Sequence, residues 1–67
     1  MTTLDVSGWP LDGTQWIAKS AEALRSAGVE PAAIERFTRS VYGARSFSLV
    51  CEGCVAALRR FYEVKGA

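Results

Sequence analysis

Gly28, Pro31 and Gly43 limit this chain more than any other residues, because they cut it into segments only about a dozen residues long. Glycine suits the left-handed position just past a helix, and proline suits the first helical residue, where its missing N–H has no partner to lose. The cuts therefore predict short helices joined by tight turns. Short connections in turn make consecutive helices neighbours.

The first helix is predicted from residue 12 onward. Asp12 is a capping residue, and Gln15 three positions later makes a variant capping box. Leu11 before the cap and Trp16 at the fourth helical position have the spacing of a hydrophobic staple. Trp16, Ile17, Ala21, Ala23, Leu24 and Ala27 gather on one side, with Lys19, Glu22 and Arg25 opposite. The second helix is predicted to start at Pro31, with Ile34, Phe37 and Val41 as its apolar stripe and Gly43 as its end. Glu35 and Arg39 stand four apart, in the order that favours an ion pair.

The third segment admits two readings. Ser46-Phe47-Ser48-Leu49-Val50 alternates as a strand would. On a helical wheel, however, Phe47, Val50, Cys51, Cys54, Val55, Leu58, Phe61 and Tyr62 fall within an arc of about 140°. Eight consistent positions outweigh a short alternation, so one helix is expected over residues 47–64, capped by Ser46, with Cys51, Cys54, Leu58 and Phe61 buried. Gly53 inside it costs roughly 1 kcal/mol against alanine. The expected fold is an all-α single domain: a small three-helix bundle over residues 12–67, preceded by an extended N-terminal arm over residues 1–11.

Cys51-Glu52-Gly53-Cys54 is the most conspicuous motif. From the residues alone, three uses compete: two small core residues, a pair of metal ligands, or a redox pair near a helix start. Core packing is favoured, because both thiols fall in the apolar arc. One chain offers two thiols and no histidine, whereas a closed zinc site takes four ligands, so only a dimer would complete one. The stretch from Val50 to Leu58, with Val50-Cys51-Glu52-Gly53-Cys54-Val55 at its start, resembles the metal-binding loop and first helix of the heavy-metal-associated domains of copper chaperones. That resemblance implies a ferredoxin-like fold, with metal held by Cys51 and Cys54 at the head of a helix.

Other features carry less. Eight basic and seven acidic residues give a net charge of +1, too balanced for a long-range field toward nucleic acid and too small to oppose self-association. The first helix, turn and second helix resemble a helix-turn-helix. The second helix nevertheless opens Pro31-Ala32-Ala33-Ile34-Glu35, with only Arg36 and Arg39 to reach base edges, so nucleic-acid binding is not favoured. Arg36, Arg39, Arg45, Arg59 and Arg60 read as solvated residues interleaved with acids rather than as an anion site. Without histidine or a glycine-rich phosphate loop there is no nucleophile–base arrangement, so neither an enzyme nor a cofactor is expected.

With 49% hydrophobic residues in 67, the composition is globular, yet a core this small is marginal without help. The arm, with Leu4, Val6, Trp9 and Leu11, can cover the bundle, dock on a partner through Trp9, or exchange between two copies. The expected function is a small non-enzymatic protein-binding regulator or inhibitor with an apolar helical surface, of the kind phages and mobile elements encode. Leu4, Val6, Trp9, Leu11, Arg36 and Arg39 are its candidate contacts, and another protein, or a second copy in a homodimer, is its partner. The alternatives are a nucleic-acid-binding regulator and a metal-binding protein using Cys51 and Cys54. No signal peptide or membrane span is visible, so a cytoplasmic location is expected.

Overall fold

The computed structural model describes residues 1–67. In chain order it has β1 (Thr3–Asp5), α1 (Gly13–Ser26), α2 (Pro31–Tyr42), α3 (Phe47–Leu58) and β2 (Glu63–Lys65). All three helices begin, and the first two end, on the signals in the sequence. The Asp12 side chain accepts a hydrogen bond from the Thr14 N–H at 2.9 Å, and that of Ser46 accepts one from the Leu49 N–H at 3.2 Å. Gly28 takes φ 88° after α1, and Pro31 opens α2. Glu35 and Arg39 form their ion pair on the outside of α2. The staple is absent: Leu11 is 89% exposed.

Two core clusters fix the helix directions. One joins Trp16 and Ile17 from the first half of α1, Val41 from the end of α2, and Val50, Cys54 and Val55 from α3, together with Val6. The other joins Leu24, Ile34 and Leu58, from the end of α1, the start of α2 and the end of α3. Thus α1 and α3 run the same way and α2 runs against them. Gly13, at the start of α1, lies beside Val50 and Phe47 at the start of α3.

Two expectations need correction. The third helix does not run over 47–64; it stops at Leu58, and the all-α reading misses a two-stranded parallel sheet. After Leu58 the chain turns, with the Phe61 and Tyr62 N–H groups both donating to the Leu58 carbonyl. The Tyr62 hydroxyl then donates to the Ala23 carbonyl on α1 at 2.6 Å, and β2 follows. Cys54 and Leu58 are fully buried as expected, whereas Cys51 is half-buried and Phe61 is 41% exposed. The physical reason lies in the partner strand. Val64 pairs with Leu4, and a three-residue strand is too short to announce itself by alternation.

The arm is accordingly not a free extension. Thr3, Leu4 and Asp5 pair with Glu63, Val64 and Lys65. Flanking bonds run from the Glu63 N–H to the Thr2 carbonyl and from the Val6 N–H to the Lys65 carbonyl, both 2.9 Å. Parallel strands need a long crossover, and here the whole bundle supplies it. Asp5 accepts from both the hydroxyl and the N–H of Ser7, which hold its carboxyl below its ordinary pKa. Gly66, at φ 82°, closes against Ser7 and Asp5, where a side chain would collide. No helix is long and apolar enough to cross a membrane.

Candidate functional site

Where the chain reverses direction, it leaves apolar side chains uncovered. Leu11 precedes α1, Tyr42 ends α2, and Phe47 and Leu49 open α3. The helix directions place all four at one end of the bundle. Their exposures are 89%, 60%, 37% and 49%, and neighbouring Arg45 is also exposed. Phe47 meets Trp16 edge-on at 6.3 Å, so this end is continuous with the core. Scattered exposed leucines are normal; what distinguishes these four is the end of the bundle they share.

Beside this end, a groove of about 530 Å³ runs along the outside of α3. Trp16, Cys51 and Val55 form its apolar wall. Ser48, Glu52, Ala56 and Arg59 stand along α3, and Gly66 and Ala67 close the far side. The Trp16 indole N–H is buried without a hydrogen-bond partner. The Ser20 hydroxyl is likewise buried, beside the Cys54 thiol.

The six contacts expected from sequence do not form one surface. Val6 is 2% exposed and belongs to the core. Leu4 and Trp9 are half-buried and pack on both clusters, Trp9 edge-on against Trp16 with ring centroids 4.8 Å apart. Leu11 stands at the apolar end. Arg36 and Arg39 are exposed on α2, which β1 does not approach. Tyr42, Phe47 and Leu49 were absent from that set. The breakers at Gly28 and Gly43 already implied that the start of α1, the end of α2 and the start of α3 meet, and following that topology would have found them. The remaining arginines do not gather either: Arg45 lies at one end of α3, Arg59 and Arg60 at the other.

Both cysteines are free thiols within α3, in its second turn rather than on a loop before it. Burial pushes both thiols up from their ordinary pKa; at Cys54 the Ser20 hydroxyl pulls back and Cys51 adds to the rise. A raised pKa leaves little thiolate, which is the form that binds metal or attacks a disulfide. No group of three or more His, Cys, Asp or Glu side chains is arranged to hold a metal ion. The expected behaviour is therefore that of packing residues. Cys54→Ala should lower stability by about 1 kcal/mol, and Cys51→Ala by less. A thiol reagent should titrate Cys51 first and reach Cys54 only as the protein opens. Chelator should leave the melting temperature unchanged. One zinc per two chains, lost together with stability on chelation, would instead make the pair a metal site.

Comparison with known protein families, curated proteins and solved structures finds no match to this chain.

Proposed function

We propose that the chain is a small non-enzymatic regulator or inhibitor that binds another protein through the apolar end of its helical bundle. The observation that carries this reading is the grouping of Leu11, Tyr42, Phe47 and Leu49, all exposed, where α1 and α3 begin and α2 ends. Large apolar side chains held on rigid helix ends lose little conformational freedom on binding and bury much area, which is what a protein contact needs. A polar edge suits the same role, and Asp12, Arg45 and Ser46 provide it.

The test is site-specific photo-crosslinking in the cells that make the protein. A photoreactive residue at position 11 or 49 should give an adduct with a second protein. The same residue at Glu30 or Arg36, exposed sites away from the apolar end, should not. Equal labelling at all four positions, or none at any, would remove the reading.

A further inference from the structure

The outward face of α3 matches itself in charge when turned end for end. At 100° per residue, Ser48, Glu52, Ala56 and Arg59 fall within about 80° of arc. All four are exposed. Glu52 and Arg59 lie two turns apart, roughly 10 Å along the axis. Neither takes part in the chain's two ion pairs, Glu22–Arg25 and Glu35–Arg39. Small Ala56 stands between them, and the groove with its wall of Trp16, Cys51 and Val55 opens beside them.

We infer that this face binds a second copy of the chain, with the two α3 helices antiparallel and crossing near Ala56. A two-fold axis there sets Glu52 of each copy against Arg59 of the other, twice. Alanine at the crossing lets the helices approach closely, and the groove walls become interface. Every charge on the face thereby finds its opposite, whereas a parallel arrangement would set like charges together. The net charge of +1 adds little repulsion. Only 11 of 67 residues are buried within one chain, so a second copy adds core where the monomer is marginal. The face adjoins the apolar end at Ser48, which stands between Phe47 and Leu49.

Charge reversal tests the pairing, because like charges facing each other across an interface weaken it strongly. Wild-type protein should sediment as a dimer. Glu52→Arg and Arg59→Glu, each alone, should weaken dimerisation by roughly 100-fold, and less in high salt. Both sites are exposed, and circular dichroism will verify that each variant folds. An equimolar mixture of the two variants should form a heterodimer, because both contacts then pair opposite charges. Cys51 should grow slower to react with thiol reagents as wild-type concentration rises, and should not in either variant alone. Three results would overturn the inference: a wild-type monomer at millimolar concentration, single variants that dimerise like wild type, or a mixture that stays monomeric.

Discussion

Leu58→Ala is expected to lower the unfolding free energy by about 3 kcal/mol, the middle of the range for removing a buried leucine side chain. Leu58 is fully buried and, with Leu24 and Ile34, makes up the smaller core cluster, where the end of α1, the start of α2 and the end of α3 meet. Its backbone carbonyl also anchors the turn to β2. A domain of this length has roughly 3–10 kcal/mol in total, so the variant should sit close to the limit of folding. Its melting temperature should fall by roughly 15 °C. Phe61→Ala provides the contrast. A helix running to residue 64 would have made Phe61 a core residue and its loss comparable. At 41% exposure beyond the end of α3, its replacement should cost about 1 kcal/mol. Thermal melts followed by circular dichroism decide the order. Equal losses at the two positions would contradict the turn after Leu58.

Gly53→Leu should be as damaging for the opposite reason. A Cβ at Gly53 would sit 2.7 Å from Cγ1 of Val41 on α2, closer than two carbons can stand. Valine is branched at Cβ and has little rotamer freedom on a helix, so it cannot swing aside. The helices must separate, at about 3 kcal/mol for leucine. Alanine is the informative control. It should improve helix propensity by roughly 1 kcal/mol while meeting the same Cβ clash without leucine's further carbons, leaving a net loss of about 1 kcal/mol. If Gly53→Ala stabilised the protein, the α2–α3 approach at Val41 would be looser than the structure has it.

Gly53 also shows how legibility depends on range. Within each helix, local chemistry was sufficient: Asp12 and Ser46 cap, Gly28 stops, Pro31 starts, and Glu35 meets Arg39 one turn on. Read only locally, Gly53 was a flaw in α3; its reason is Val41, twelve residues back and on another helix. The end of α3 failed in the same way. Phe61 and Tyr62 continue the helical phase, and nothing within residues 59–64 says that Val64 will pair with Leu4 at the other end of the sequence. Strand pairing over such a separation leaves no periodic trace in three residues. The candidate contacts divide likewise. Leu11 was legible as an apolar residue outside any regular element, whereas Tyr42, Phe47 and Leu49 looked like ordinary members of helices until the three-helix topology set them beside it. Val6, which alternates with Leu4 in the arm, takes the covering role that the sequence left open beside docking on a partner.

The clasp between β1 and β2 has a mechanical consequence. Its strands run in the same direction, one near each end of the chain. A pull between residue 1 and residue 67 therefore drags them past each other along their length. The bonds Glu63 N–H to Thr2, Val6 N–H to Lys65 and those between them share that load together. An antiparallel clasp pulled from the same ends would open one bond at a time, like a zip. Anything joined to either terminus thus tugs on this protein in shear, and the three helices feel no tension until the whole clasp gives way.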